Sequence, residues 1–106
     1  MTEEQKKFDL YLIVLRFLVF KITNNLNRIY LEIDLKKNKM LLTAFYFAPP
    51  SELELELLDD IVTNSNAHIP NLFIVSQVKL VADYDQNDIY DFIVFAVYSD
   101  INEGSL

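Results

Sequence analysis

A strict alternation of apolar and polar side chains from Arg28 to Lys36 is the strongest structural signal in the chain. The side chains of one parity are Ile29, Leu31, Ile33 and Leu35, and those of the other are Tyr30, Glu32, Asp34 and Lys36. A period of two is typical of a β-strand with one solvated face. A polar, lysine-rich stretch (36–39) follows, and residues 40–47 form a second strand pattern. The two patterns together predict a β-hairpin.

A helical pattern precedes this hairpin. Residues 4–22 predict a helix that is apolar on most sides. Such a helix is buried by more than one neighbour, which we favour, or it supports a dimer. Asp9 and Arg16 interrupt its apolar run, and the run is too short to span a bilayer as a helix. We therefore expect neither a signal peptide nor a membrane anchor here.

A second helix is predicted to begin at Ser51, directly after Pro49 and Pro50. Ser51 followed three residues later by Glu54 forms a capping box, in which each side chain bonds the other's free backbone N–H. The pattern extends to about Ser65. Its apolar face consists of Leu53, Leu55, Leu57, Leu58, Ile61 and Val62, and the opposite side carries Glu52, Glu56, Asp59, Asp60 and Thr63.

Two further strands are predicted at 72–82 and 89–99, with a strongly polar turn at 83–88 between them and a frayed tail at 100–106. The last strand is apolar on both faces, which predicts a central position in the sheet. The element order is α-β-β-α-β-β. We therefore predict one α+β domain over residues 1–106, with a mostly antiparallel four-stranded sheet and two helices packed on one of its faces.

Charge is divided unevenly along the chain. Residues 1–40 carry eight basic and five acidic side chains, a net of +3, whereas residues 41–106 carry one basic and eleven acidic side chains, a net of −10. Such an acidic surface repels phosphate backbones and anionic lipids, which argues against direct nucleic-acid or membrane binding. It attracts a basic protein and speeds the encounter. It equally serves to keep a small apolar domain soluble.

The residue types that common catalytic and cofactor sites need are scarce. There is no cysteine, and the single glycine, Gly104, leaves no glycine-rich loop to hold a phosphate. The single histidine, His68, has no obvious partners for nucleophilic catalysis. The spacing Asp83-x-Asp85-x-Asn87 begins like an EF-hand loop but lacks the glycine at position six and the glutamate at position twelve. We expect no enzyme activity, no metal and no cofactor.

Acidic side chains instead mark a candidate protein-binding surface. The acidic side of the second helix either faces a partner or is simply solvated. Tyr84 and Tyr90 flank the acidic turn, and tyrosines in such positions are either interface anchors or residues that pack at strand ends. The predicted partner-binding residues are Glu52, Glu56, Asp59 and Asp60 of the second helix with Asp83, Tyr84, Asp85 and Asp88 of the turn, and Tyr84 is placed at the centre.

Four segments of the sequence also form a recognisable series: residues 25–34 (NLNRIYLEID), 45–47 (FYF), 50–54 (PSELE) and 58–63 (LDDIVT). Together with the order of elements, they resemble immunity proteins of bacterial contact-dependent growth inhibition systems. The resemblance implies a cytoplasmic protein that binds the toxic C-terminal domain of a cognate effector and blocks its active site. Many such toxins are nucleases, whose basic surfaces would complement the acidic part of this chain.

The leading hypothesis is therefore an immunity protein that neutralises a basic nuclease toxin through acidic side chains, as a monomer or weak homodimer. The alternative is a self-associating structural or regulatory module, which the very apolar first helix suggests. A third class, an enzyme or small-ligand binder with an unrecognised carboxylate site, has no sequence feature in its favour.

Overall fold

The helical and alternating patterns form six main elements in the predicted order. The computed structural model describes residues 2–69, 71–85 and 87–97. Its elements are α1 (Glu3–Leu15), β1 (Leu26–Asp34), β2 (Lys39–Tyr46), α2 (Glu52–His68), β3 (Phe73–Leu80) and β4 (Phe92–Ala96), with short 3-10 turns at Arg16–Leu18 and Val81–Asp83. The predicted α+β class is confirmed. The tail predicted at 100–106 lies outside the described residues.

The four strands form one mixed sheet in the order β3-β2-β1-β4. β1 pairs antiparallel with β2 and with β4, whereas β2 and β3 run parallel. The predicted hairpin is β1–β2, and its turn contains Asn38 in the left-handed region, at a φ of 53°. Two of the three neighbouring pairs are antiparallel, as predicted. The parallel pair follows from α2, because a parallel neighbour requires a crossover connection of this kind.

The fourth strand lies at an edge of the sheet, so the predicted central position is wrong. A register shift separates the pairs Ile29–Phe95 and Tyr30–Ile93, which marks a β-bulge in β4. Because of this bulge, Phe92 and Phe95 both pack into the core under the helices although they are three residues apart. The apolar residues at both odd and even positions of β4 therefore result from the bulge. They do not mean that both faces of the strand are buried.

Both helices cover the same face of the sheet. Val14 of α1 is buried in one core with α2 and the inward residues of the strands. The other buried members of this core include Leu58, Ile61 and Val62 of α2 and Ile29, Leu31, Ile33, Met40, Leu42, Ala44 and Ile74 of the sheet. The ring of Tyr11 in α1 stacks on Phe92 of β4, with ring centroids 4.5 Å apart. The first helix thus packs on the core along one side through Val14, while Phe8 and Leu12 are exposed, so the two interpretations of this helix, burial by its neighbours and support of a dimer, both stay open.

The first helix ends earlier than predicted. α1 stops at Leu15, one 3-10 turn continues it, and Phe20 takes a left-handed conformation at a φ of 63°. The expected helix to residue 22 is therefore wrong. The chain leaves the helical path to reach the start of α2, where the Thr23 hydroxyl donates a hydrogen bond to Glu54 (2.6 Å).

The connection from β3 to β4 covers the second face of the sheet. Because β3 and β4 lie at opposite edges, this connection spans three strand spacings, roughly 14 Å. The residues that pack there are Val81, Tyr84 and Tyr90 of the connection with Tyr30 and Phe45 of the sheet. The polar stretch 83–88, predicted as a turn between the last two strands, is part of this crossover between opposite edges of the sheet.

Candidate protein-binding surface

Four of the predicted partner-binding residues lie on the outer side of α2. Glu52, Glu56, Asp59 and Asp60 are all exposed. The residues of the helix that are buried against the sheet lie opposite them. At 100° per residue the four carboxylates fall within an arc of about 100° and extend over more than two turns. We call these four residues the α2 acidic stripe.

No cation of the described chain neutralises this stripe. Within residues 2–69, 71–85 and 87–97, the only ion pair joins Lys7 Nζ to Asp91 Oδ1 at 3.0 Å, and it lies between α1 and the start of β4. Like charges four residues apart on a helix, such as Glu52 with Glu56 and Glu56 with Asp60, repel each other by a few tenths of a kcal/mol. A cationic partner would relieve this repulsion.

Two leucines on the first turns of α2 are exposed beside the stripe. The exposed fraction is 61% for Leu53 and 44% for Leu55, although the sequence pattern placed both on the apolar face. The core-facing position of the first turn is instead taken by Glu54 and its polar partners, so these turns do not pack on the sheet through leucine. At 100° per residue the two leucines lie on opposite edges of the stripe, so the four carboxylates are bordered on each side by an apolar side chain.

Glu54 fixes the start of α2 and with it the position of the stripe. Its carboxylate accepts hydrogen bonds from the Ser51 N–H (3.1 Å), the Thr23 hydroxyl (2.6 Å) and the Asn25 side-chain amide (3.3 Å). The Ser51 hydroxyl accepts from the Glu54 N–H (3.2 Å), so the predicted capping box is confirmed. Burial raises the pKa of Glu54, but the hydrogen bonds outweigh it, Thr23 first, and hold the pKa below its ordinary value.

The acidic residues of the β3–β4 connection are exposed, but they are organised by local contacts. Asp85 Oδ1 accepts a hydrogen bond from the Asn87 N–H (2.8 Å), and the Asp88 N–H donates to the Asp85 carbonyl (3.0 Å). Asp83 ends a 3-10 turn. Across the described part of the chain, no three acidic or histidine side chains converge as metal ligands would. The arrangement is that of a solvated connection.

Tyr84 and Tyr90 are half-buried and pack against the second face of the sheet. The Tyr84 ring meets Phe45 edge to face at 5.6 Å, and its hydroxyl lies 3.5 Å from that of Tyr30. The Tyr90 ring stacks on Tyr30 at 4.3 Å. Burial and the nearby charge of Asp88 raise the pKa of Tyr90 to about 12. The packing interpretation accounts for their buried sides, and a role of Tyr84 at the centre of an interface stays a prediction.

Arg28 is a buried cation that the sequence pattern did not reveal. It is only 4% exposed and has no carboxylate within ion-pair distance in the described chain. Its Nε donates to Asn27 Oδ1 and its Nη1 to the Tyr30 hydroxyl (2.9 Å), while Nη2 has no hydrogen-bond partner among the described residues. The Tyr84 ring lies 4.4 Å from its Cζ. This cation–π contact offsets part of the cost of burial.

The two groups of predicted acidic residues lie on opposite sides of the sheet. The α2 acidic stripe is on the outer side of the helix layer, and Asp83, Asp85 and Asp88 belong to the connection that crosses the other face. A single flat partner surface cannot contact both groups. The predicted interface therefore divides into two alternatives. The acidic residues of both are exposed, but only those of the connection, at Asp85 and Asp88, take part in internal hydrogen bonds.

Two open grooves are also present among the described residues. The larger, of about 580 Å³, lies at the turn end of the β1–β2 hairpin. Its lining contains both basic side chains, Lys36, Lys37 and Lys39, and acidic ones, including Glu32 and Asp34. The smaller, of about 210 Å³, lies on the second face beside Lys79 and Asp88. His68 is in neither groove; its Nδ1 lies 3.0 Å from the Asn64 carbonyl at the end of α2. Both grooves are lined by acidic and basic side chains, and in neither does a nucleophile contact a base. Their linings therefore indicate no particular catalytic reaction.

Comparison with known proteins adds no information on function to the geometry described above. No protein-family model matches the sequence, and a search of curated proteins finds no match. Neither α1 nor α2, the helices of the described chain, has the length and apolar character needed to cross a bilayer.

Proposed function

We propose that this chain is an immunity protein that binds and neutralises a basic toxin domain, a nuclease of a contact-dependent growth inhibition system. The observation that carries the proposal is the α2 acidic stripe, four exposed carboxylates with no ion-pair partner in the described residues. The chain as a whole carries a net charge of −7, and two exposed leucines, Leu53 and Leu55, lie beside the stripe. That combination favours a basic protein as the ligand.

The stripe would act on the toxin's own nucleic-acid site. A nuclease holds its substrate with lysines and arginines that neutralise phosphates. The same cations attract Glu52, Glu56, Asp59 and Asp60, steer the encounter and then pair with them. Covering those cations excludes the substrate without any reaction on the inhibitor. A cytoplasmic location, the absence of enzymatic activity and the absence of a bound cofactor belong to the same proposal.

The test is a titration of this chain against the C-terminal toxin domain encoded directly upstream, at low and at high salt. We expect nanomolar affinity that weakens as salt rises, because surface charge pairs are screened. In a double variant, Asp59→Lys with Asp60→Lys, affinity should fall by about 100-fold or more, since reversed charges now repel the toxin. Unchanged thermal unfolding would show that the fold is intact.

The matched control is Asp83→Lys with Asp88→Lys, which makes the same change in net charge on the opposite face. We expect it to alter affinity by only a few-fold, through long-range attraction. A large loss in this control with none in the helix variant would place the interface on the second face. No binding by the unaltered chain at either salt would refute the toxin–immunity proposal for that pair.

A second candidate function, self-association, has one observation in its favour. β3 is an edge strand, and only one charged residue, Lys79, lies in it. Since Phe73 N–H bonds toward β2, the backbone groups of Ser76 and Val78 point outward, with no hydrogen-bond partner in the described chain. Such an edge can pair with a second copy. Sedimentation at micromolar concentration tests this, and a monomer argues against it.

A further inference from the structure

We infer that the basic partner adds one extended segment of its own chain to the free edge of β3, beside the α2 acidic stripe, an inference that rests on the proposed function. The N–H and C=O groups of Ser76 and Val78 point away from β2 and have no hydrogen-bond partner in the described chain. Both residues are exposed. An exposed edge with unpaired backbone groups accepts a further strand.

The open part of this edge is short, because both of its ends are closed. At one end the Asn66 side chain occupies both outward groups of Ile74: its Nδ2 donates to the Ile74 carbonyl (3.4 Å), and its Oδ1 accepts from the Ile74 N–H (3.2 Å). At the other end β3 stops at Leu80, and a 3-10 turn follows. Backbone pairing between these ends is limited to a few hydrogen bonds, which replace bonds to water and add little net free energy. Side chains beside the edge must therefore decide which segment binds.

The bonds of Asn66 also show which side of α2 lies above the edge. Asp59 precedes Asn66 by seven residues and Leu55 by eleven, so at 100° per residue both lie within about 20° of its direction. α2 connects the parallel strands β2 and β3 and therefore runs antiparallel to them. From the Asn66–Ile74 contact, rises of about 1.5 Å per helix residue and about 3.3 Å per strand residue bring Asp59 to the level of Gln77. The acidic stripe thus borders the middle of the open edge through Asp59.

Charge and spacing indicate what the added segment contains. Asp59 is exposed and has no ion-pair partner in the described residues, and Leu55 is 44% exposed. Every second side chain of an added strand faces the helix layer, at a spacing of about 6.6 Å. The step of four residues from Leu55 to Asp59 covers a similar distance, about 6 Å. A segment with a lysine or arginine two positions from an apolar residue therefore pairs with Asp59 and packs on Leu55 at the same time.

A second copy of this chain fits the same edge less well. In an antiparallel pairing about a twofold axis, its β3 presents Ser76 and Val78 to the helix layer, because they alternate with the buried Ile74, and neither is basic. Its α2 also brings a second Asp59 to the seam, and each copy carries a net charge of −7. These like charges repel. The basic protein of the proposed function is therefore the occupant that the charges favour.

The first experiment titrates two single variants of the full chain with the toxin domain encoded directly upstream. Asp59→Lys and Asp60→Lys make the same change in charge at adjacent exposed positions, but Asp60 points about 120° away from the direction of Asn66. We expect affinity to fall about thirtyfold for Asp59→Lys and no more than about threefold for Asp60→Lys. Equal losses, or a larger loss for Asp60→Lys, overturn the inference and leave the proposed function standing.

The second experiment tests the backbone pairing. Val78→Pro removes an outward N–H but no bond to β2, and edge strands tolerate proline at such positions. Val78→Thr is the matched control, because it has the same shape and keeps the N–H. We expect affinity to fall at least about tenfold for Val78→Pro and to change less than about twofold for Val78→Thr. Equal affinities of a folded Val78→Pro and the unaltered chain overturn the inference.

Amide hydrogen exchange of the unaltered chain decides the case even if Val78→Pro does not fold. The amide protons of Ser76 and Val78 should exchange at least about tenfold more slowly in the complex than in the free chain. Unchanged exchange at both amides in a complex that forms overturns the inference alone. Slowing in the free chain that grows with its own concentration identifies a second copy as the occupant, which also overturns it. No binding by the unaltered chain refutes the inference and the proposed function together.

Discussion

Replacing Glu54 should destabilise the fold far more than replacing other acidic residues of α2. Glu54→Ala removes a carboxylate that accepts bonds from Ser51, Thr23 and Asn25. A hydrogen bond to a charged group is worth about 1.5–3 kcal/mol, and loss of a helix cap about 1 kcal/mol. Because the freed donors can turn to water, we expect a net loss of about 2 kcal/mol in the free energy of unfolding, measured by urea denaturation at pH 7.

Two matched variants and a pH series sharpen the test. Glu54→Gln keeps the capping box but not the charge, so it should lose about 1 kcal/mol. Glu56→Ala, at an exposed position two residues further along the helix, should change the free energy of unfolding by no more than about 0.5 kcal/mol. The folded state lowers the pKa of Glu54, so its ionised form stabilises the fold above about pH 4.3, and this contribution is lost as pH falls through the lowered pKa.

The difference in stability between the unaltered chain and Glu54→Gln should accordingly shrink in acid. Equal losses for Glu54→Ala and Glu56→Ala, or a difference that stays constant down to pH 2, would refute the reasoning from these hydrogen bonds.

Three other predictions concern stability and the sheet edge. Arg28→Met should leave the free energy of unfolding unchanged or raise it by up to about 2 kcal/mol, whereas Arg28→Ala should lower it; a large loss in Arg28→Met would reveal a counter-charge. The Asn66 side chain bonds both outward groups of Ile74, so Asn66→Ala should increase self-association in sedimentation, and an unchanged monomer would contradict this. Tyr46 and Tyr90 should ionise near pH 12 in an absorbance titration. Because folding raises both pKa values, the stability that these tyrosines contribute should be full below about pH 10 and lost towards pH 12. Ionisation of all tyrosines near pH 10 would contradict this prediction.

Features confined to a few neighbouring residues were predictable from the sequence. The capping box at Ser51 and Glu54 needs only four residues, and the hairpin needs only two alternating segments and a polar turn. The exposed side of α2 followed from its own periodicity. Each of these signals is local, so no knowledge of strand order was required.

The remaining features depend on which elements lie side by side. The pattern of β4 cannot distinguish a central strand from an edge strand with a bulge, because both place apolar residues at both parities. Arg28 alternates like a solvated residue, but the β3–β4 connection passes over it. Leu53 and Leu55 match the apolar face of α2, yet that helix reaches the sheet only from Leu58 onward. The sequence therefore predicted the exposed carboxylates of the candidate surface but not the exposed leucines beside them.

The contact between α1 and β4 also has a consequence for synthesis on the ribosome. Tyr11 stacks on Phe92, and Lys7 pairs with Asp91, so residues made first wait for residues made about eighty positions later. The β1–β2 hairpin can form early, because its partners are adjacent in sequence. During elongation the apolar side of α1 therefore stays without its final cover, the condition in which nascent chains aggregate or recruit chaperones.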